Sequence, residues 1–173
     1  GAAAGATEFK TSLIPNSVAM DGSDDYFSFT TAGGDAVTHS TTKVIMATWF
    51  KLGTVGAAES LMVLGSGTDG NNTCGMYVSS ANRLVIQCNT GSEYASTEQV
   101  LRDTAWYHAL FSVDLGQSGQ NKARLYINGI ENTLWNLNTG IADFGTSFDD
   151  KSTYEVGRIY NGDHFTGYLA QSI

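Results

Sequence analysis

Apolar and polar residues alternate along most of this 173-residue chain, and turn-forming residues interrupt the alternation at short intervals. A two-residue period is typical of half-buried β-strands. No segment of adequate length repeats apolar residues at the helical spacing i, i+3, i+4 and i+7. The sequence therefore predicts little helix, and strands near residues 17–20, 26–30, 43–52, 60–65, 74–79, 83–88, 106–114, 123–128, 153–160 and 165–171.

Two of these strands indicate how the core is built. One side of the 43–52 strand carries Val44, Met46, Thr48, Phe50 and Leu52, and the other side carries Ile45, Ala47, Trp49 and Lys51. One side of the 106–114 strand carries Tyr107, Ala109, Phe111 and Val113, opposite Trp106, His108, Leu110 and Ser112. A strand that is apolar on both sides is predicted to be central. Short strands joined by polar turns bury their apolar faces by stacking, so we expect an all-β fold, an antiparallel two-sheet β-sandwich or jelly roll.

Two hairpins can be predicted residue by residue. Asn128-Gly129 separates two short apolar segments, and both central residues of a type I′ turn need positive φ, which suits this pair. A second hairpin, folded about Ala81, pairs Val78 with Leu84 and Met76 with Ile86, and sets Cys74 opposite Cys88. A disulfide between these cysteines and two free cysteines packed as small hydrophobic residues are equally weighted alternatives.

Composition and charge exclude several classes of protein. Hydrophobic residues make up 42% of the chain and charged residues 15%, which is typical of a folding domain. The net charge is −8 with nine scattered Lys and Arg, so binding of nucleic acid through its phosphates is not expected. The longest apolar stretch is too short to span a bilayer, so no membrane insertion is expected. Residues 1–12 are predicted to be a flexible N-terminal segment, and residues 13–173 a single domain.

Several sequence blocks, in order along the chain, carry a family resemblance: VAMDGSDDY at 18–26, MATWFK at 46–51, TAWYH at 104–108, RLYING at 124–129, YEVGR at 154–158 and FTGYLA at 165–170. Together they resemble the laminin-G-like, concanavalin-A-like lectin/glucanase superfamily. The resemblance implies a jelly-roll domain, and it is similar to modules in phage tail, fibre and capsid-decorating proteins. In the family the last block is followed by further residues, so we expect the final strand to be truncated near Ile173.

The sequence does not predict an enzyme. Retaining glucanases of this fold carry Glu-x-Asp-x-x-Glu on one strand, which directs two carboxylates at one sugar, and the chain lacks this motif. It also lacks the Gly-x-Ser-x-Gly elbow of serine hydrolases. A glycoside hydrolase assembled from distant carboxylates is the less favoured alternative.

Calcium is the candidate ion, although no cofactor is predicted to be required. Two turns are rich in the oxygen ligands that calcium prefers. Their candidate ligands are Asp21, Asp24 and Asp25 in the first turn and Asp69 and Asn71 in the second. The alternative is that these residues only form the turns, in which Asp, Asn and Gly are common.

Glycan binding would require an aromatic ring with amide or carboxylate neighbours. Trp135 and Asn136 form the first candidate site, because Trp135 lies outside the family blocks and among amides. A second candidate cluster comprises Tyr160, Asn161, Asp163 and His164. The alternative for Trp135 is that its ring caps the core beneath a long loop.

These observations predict a non-catalytic, lectin-like adhesion or binding module, located in a virion or outside the cell. Its expected partners are a glycan or another cell-surface ligand and neighbouring structural subunits of an oligomeric assembly. The alternative is a purely structural assembly subunit that binds no glycan. The two hypotheses differ in whether aromatic side chains are exposed to ligand or covered by protein contacts.

Overall fold

The computed structural model describes residues 16–30, 42–64, 74–88, 94–103, 105–138, 140–144, 153–159 and 163–170. Within these ranges the strands are β1 (Val18–Asp21), β2 (Phe27–Thr30), β3 (Lys43–Leu52), β4 (Glu59–Leu64), β5 (Cys74–Val78), β6 (Arg83–Cys88), β7 (Tyr94–Val100), β8 (Tyr107–Asp114), β9 (Ala123–Ile127), β10 (Ile130–Glu131), β11 (Trp135–Asn138), β12 (Thr153–Val156), β13 (Arg158–Ile159), β14 (Asp163–His164) and β15 (Thr166–Ala170). Two short 3₁₀ helices span Gly119–Lys122 and Ile141–Asp143. In the described ranges no helix is long and apolar enough to cross a membrane.

Two antiparallel sheets form the sandwich, which confirms the predicted fold class. The first sheet has six strands in the order β1-β15-β3-β8-β9-β10, and the second has seven in the order β11-β7-β6-β5-β4-β12-β2. A small ribbon pairs β13 with β14. The apolar strand β3 lies between β15 and β8, so the prediction that it is central is confirmed.

The core lies between the sheets and is built by alternate residues of each strand. Phe50 of β3 and Phe111 of β8 are fully buried in it, and Phe50 contacts the Phe165 ring edge-on at 6.5 Å. On β3 the side that carries Phe50, and on β8 the side that carries Phe111, are buried along their whole length. Full burial of each such large side chain contributes roughly 1.5–3 kcal/mol. The same alternation turns the intervening residues of the first sheet away from the core.

Both predicted hairpin registers are confirmed. Asn128 and Gly129 have φ of 53° and 80°, and Ile130 pairs with Ile127 across the turn. In the β5–β6 hairpin, Val78 pairs with Leu84, Met76 with Ile86, and Cys74 with Cys88. The sulfur atoms of Cys74 and Cys88 lie 2.13 Å apart and form a disulfide.

The set of predicted strands was incomplete. Strand β7 was missed because YASTEQV is mostly polar, yet Ser96 and Thr97 are buried since β7 lies between β6 and β11. Strand β11 was missed because a four-residue strand at the sheet edge carries too short a pattern. The predicted strand at 153–160 is interrupted at Gly157, which has φ of 85° and donates its N–H to the Leu61 carbonyl.

Candidate functional site

The outward side of the first sheet carries a cluster of aromatic rings. Because Thr48 and Phe50 point into the core, Trp49 of β3 points outwards, and the same alternation on β8 directs His108 outwards. Cross-strand pairing sets these two residues opposite each other. We call this surface the outer aromatic face and define it by Trp49, Trp106, His108, Tyr126 and Tyr168 with the interspersed Ile45, Ala47 and Leu110.

The rings lie in two neighbouring rows across the strands. The rings of Trp49 and His108 are 5.0 Å apart between centroids and tilted by 46°. The rings of Trp106 and Tyr168 are 6.4 Å apart and tilted by 52°. Tyr168 pairs with Lys51, two residues along β3 from Trp49, so the rows are separated by about 7 Å, the repeat of side chains on one side of a strand.

The outer aromatic face is partly open to solvent. Ile45 is 62% exposed and Tyr168 is 44% exposed, whereas the rings of Trp49, Trp106 and His108 are half-buried. Residues on the outward side of the second sheet are less accessible, since Val63 and Val85 are each 2% exposed. Of these two outward sides, that of the first sheet is the more accessible, although Phe27 and Phe29 on the edge strand β2 of the second sheet are also exposed.

Charged pairs border this face at the end away from the Trp106 row. Arg124 and Glu131 form an ion pair of 2.5 Å, and Lys43 and Asp114 form one of 3.2 Å. These pairs are exposed to solvent, so each contributes little to stability. The outer aromatic face is therefore aromatic at one end, and these ion pairs make the other end charged.

His108 is held in place by the β9–β10 hairpin. Its backbone N–H donates to Asn128 Oδ1 at 2.8 Å, and the Asn128 N–H donates to the His108 carbonyl at 2.8 Å. Burial lowers the pKa of His108 below its ordinary value, because desolvation disfavours the charged imidazolium. The lowered pKa favours the uncharged imidazole, whose ring is tilted by 46° against the Trp49 ring.

The first predicted calcium turn brings its three carboxylates together. Ligand oxygens of Asp21, Asp24 and Asp25 lie within 4.8 Å of one another. The Ser23 N–H donates to Asp21 Oδ1 at 2.7 Å, and the Asp21 N–H donates to Asp25 Oδ2 at 3.1 Å. The second carboxylate oxygens of Asp21 and Asp25 do not take part in these hydrogen bonds. The donor set therefore fits part of the coordination shell of calcium. Asp69 and Asn71 lie outside the described residues.

The second predicted glycan cluster lies beside the calcium turn. The His164 ring is 6.0 Å from the Tyr26 ring, and the Arg158 guanidinium lies 3.8 Å above the Tyr26 ring. Asp163 lies in β14 opposite Ile159. Of the other members, Tyr160 and Asn161 lie outside the described residues. The structure thus joins part of this cluster to the β1–β2 turn, a contact that sequence spacing does not reveal.

Trp135 lies at the edge of the second sheet, apart from both other sites. It is half-buried and packs against the hydrophobic core, which is the arrangement expected if its ring caps the core. Its neighbour Asn136 is exposed. The preceding loop, with Asn132 and Leu134, lines an open groove of about 620 Å³ that contains no aromatic side chain among its lining residues. Glycan binding at Trp135 and Asn136 stays a prediction.

The two buried glutamates have structural partners. Glu155 forms a bidentate pair with Arg158, with Nη2 to Oε1 at 2.5 Å, and this hydrogen bond raises the pKa of Arg158. Glu59 accepts the Thr54 hydroxyl at 2.9 Å and the Thr166 N–H at 2.5 Å. Glu59 therefore links β4 of the second sheet to β15 of the first.

The outer aromatic face was not predicted as a site. Its signal was present in the sequence, because Trp49 and His108 alternate with the core positions of β3 and β8, and Trp106 directly precedes the buried Tyr107. This side was interpreted as the second apolar side of a central strand. Only the sheet order shows that nothing in the described part of the second sheet packs on it.

Comparison with known proteins gives a family and a fold. A family model described as the concanavalin A-like lectin/glucanases superfamily matches residues 21–172. No curated protein matches the sequence. Similar structures include a heptameric SAP-like pentraxin from Limulus polyphemus, with TM-score 0.61, 15% identity and coverage of 90% of this chain and 73% of that chain. The laminin α1 chain domains LG4-5 of mouse align with TM-score 0.58 and 12% identity, covering 90% of this chain and 39% of that chain. The CBM40 of a Ruminococcus gnavus IT-sialidase, bound to α2,3 sialyllactose, aligns with TM-score 0.55 and 15% identity, covering 91% and 85%.

Proposed function

This chain belongs to the concanavalin A-like lectin/glucanase superfamily, and we propose that it is a non-catalytic, lectin-like module that binds glycan on its outer aromatic face. The observation that carries the proposal is the pair of ring rows, Trp49 with His108 and Trp106 with Tyr168, on an accessible sheet face. A pyranose ring has a face of C–H groups that stacks on an aromatic ring, while its hydroxyls need polar neighbours. Lys51 and Asn128 supply such neighbours beside the rings.

The similar CBM40 structure supports this proposal at the level of the fold, because that protein is bound to sialyllactose. A flat face with two rows of rings suits several sugar units along a chain better than one enclosed sugar. The buried glutamates support a non-catalytic function, since both are held in hydrogen bonds within the sandwich.

The test is glycan binding by two matched tryptophan variants. Trp49→Ala removes a ring of the outer aromatic face, whereas Trp135→Ala removes the predicted alternative on the second sheet. We expect Trp49→Ala to weaken glycan binding about tenfold or more, the effect of losing one desolvated aromatic contact, with Trp135→Ala close to wild type. Circular dichroism and melting curves confirm folding of both variants. Loss of binding in Trp135→Ala alone would assign the site to Trp135 and Asn136 and reject the outer aromatic face.

We also propose that a calcium ion binds at Asp21, Asp24 and Asp25. The clustering of three carboxylates within 4.8 Å supports this site. Mutual repulsion of the three charges would be relieved by a bound cation, so calcium would stabilise the turn between β1 and β2.

We propose that the module works outside the cell, in a virion or other extracellular assembly. The Cys74–Cys88 disulfide supports an oxidising location, because cytosolic proteins rarely keep such bonds. The second candidate function, a structural subunit without glycan binding, is favoured by the exposure of Ile45, which lies beside Ala47 on the same face. Light scattering on the purified protein distinguishes the two. If the face is a subunit contact, Ile45→Lys converts an oligomer to monomers; if it binds glycan, this variant leaves the mass unchanged.

A further inference from the structure

Lys51 lies beside the row of rings formed by Trp106 and Tyr168 on the outer aromatic face. It pairs with Tyr168 of β15. On its other side, Phe50 pairs with Tyr107, the first residue of β8, and Trp106 directly precedes Tyr107 at this end of β3. The ring centroids of Trp106 and Tyr168 are 6.4 Å apart. Lys51 therefore contributes a cationic side chain to the row formed by Trp106 and Tyr168.

The ammonium group of Lys51 has no ion pair or hydrogen bond with another described residue. The other cations on this face differ, since Lys43 is paired with Asp114 and Arg124 with Glu131. The side chain of Lys51 is half-buried beside the rings. A cation without such a partner is stabilised by an anionic ligand, through charge-assisted hydrogen bonds.

We propose that Lys51 makes the outer aromatic face selective for acidic sugars, in which a carboxylate or sulfate lies next to a pyranose that stacks on the rings. This inference rests on the proposed glycan-binding function and specifies its ligand class. The ammonium group donates charge-assisted hydrogen bonds to the acidic group, while Trp49, Trp106 and Tyr168 contact the sugar ring.

The overall charge narrows this ligand class further. The net charge is −8, and Asp21 lies on the same sheet side, opposite Thr166. A long, densely charged polyanion would place many charges near these acidic groups and be repelled. A single acidic group at Lys51 avoids most of this repulsion, because charges more than about 8–10 Å apart are largely screened at physiological salt. The structure therefore favours sugars with isolated acidic groups.

The test uses three oligosaccharides of one backbone: neutral galactose oligomers, the same oligomers with a single galacturonate unit, and singly sulfated galactose oligomers. Isothermal titration calorimetry is performed on wild type, Lys51→Met and Lys43→Met. Methionine keeps an unbranched apolar stem while removing the charge, and Lys43 is the matched control because it lies on the same strand but is already paired. We expect wild type to bind at least one acidic oligomer about tenfold more tightly than the neutral one, the effect of one charge-assisted hydrogen bond.

Lys51→Met should abolish this preference, because it weakens binding of the acidic oligomers more than binding of the neutral one, whereas Lys43→Met should keep it. Comparison of the galacturonate and sulfated oligomers identifies whether carboxylate or sulfate is preferred. Equal binding of neutral and acidic oligomers, or an undiminished acidic preference in Lys51→Met, overturns the inference while glycan binding itself stands. If none of the three oligomers binds and wild type also binds no glycan in the tryptophan-variant experiment, the proposed function fails with it.

Discussion

Gly167 on β15 should tolerate no side chain, because it lies where two strands approach closely. Its φ is 138°, a conformation that L-residues rarely adopt. A Cβ at this position would overlap the carbonyl oxygen of Lys51 and lie 2.7 Å from the amide nitrogen of Gly53. Both obstacles are backbone atoms of the β3 end, so no side-chain rotation can relieve them. Gly167→Ala should therefore disturb the β15–β3 pairing that sets Tyr168 beside Lys51.

The matched control is Gly56→Ala, since Gly56 has φ of 88° but nothing within 4 Å of an added Cβ. Backbone conformation alone should cost this control about 1–2 kcal/mol. The variant at Gly167 adds a backbone overlap to a similar conformational cost, so we expect at least about 4 kcal/mol, in the range reserved for severe local disruption. At about 2–4 °C per kcal/mol for a domain of this size, the melting temperature should fall by roughly 2–8 °C in the control and by 8 °C or more in Gly167→Ala.

Differential scanning calorimetry and urea unfolding measure both variants. Failure of Gly167→Ala to accumulate as folded protein, while Gly56→Ala folds, agrees with the expected severity. Equal losses of stability in the two variants would refute the reasoning, because they would show that the close approach of β15 to β3 costs nothing beyond backbone conformation.

Three further predictions concern the ion, the imidazole and the disulfide. Calcium at about 100 times its dissociation constant should raise the melting temperature by roughly 5–10 °C over that measured in chelator. Asp24→Asn should reduce this shift. Identical melting curves in calcium and in chelator would reject the site. Burial lowers the pKa of His108 in the folded protein, so the unfolded chain binds the proton more readily. The stability that neutral His108 contributes is therefore complete above the ordinary pKa of 6.5 and is lost as the pH falls below it. His108→Gln should flatten this part of the curve of stability against pH, and an unchanged slope would contradict the prediction. Replacing Cys74 and Cys88, 14 positions apart, by alanine should cost about 3 kcal/mol, or roughly 6–12 °C, from the lost loop constraint; two free thiols in denatured, unreduced wild type would show that the bond does not form.

Local sequence patterns were sufficient for the features that depend on neighbouring residues. Asn128-Gly129 supplies the two positive φ angles of its turn, and the pairing of Cys74 with Cys88 follows from counting outwards from the β5–β6 turn. Strand β7 did not follow from its own residues. Its buried Thr97 is polar, and its place in the sheet is set by β6 and β11 on either side.

The candidate sites show the same division. Asp21, Asp24 and Asp25 are close in sequence, so their clustering could be predicted from one turn. The outer aromatic face could not, because it joins β15, β3 and the start of β8, so that Tyr168, Lys51 and Trp106 are far apart along the chain.

The amino-acid pattern was enough to predict the long strands, several of the tight turns and the stacking of the strands as a sandwich, because these properties depend on alternation and on local backbone conformation. The tertiary structure alone decided which apolar side is the core and which is a surface. On β3, the adjacent residues Trp49 and Phe50 are both aromatic and face opposite sides of the strand. Only the position of the second sheet buries Phe50 and leaves the side of Trp49 open. A single strand has two sides with the same physical chemistry, and the packing of the second sheet against one of them distinguishes core from binding face.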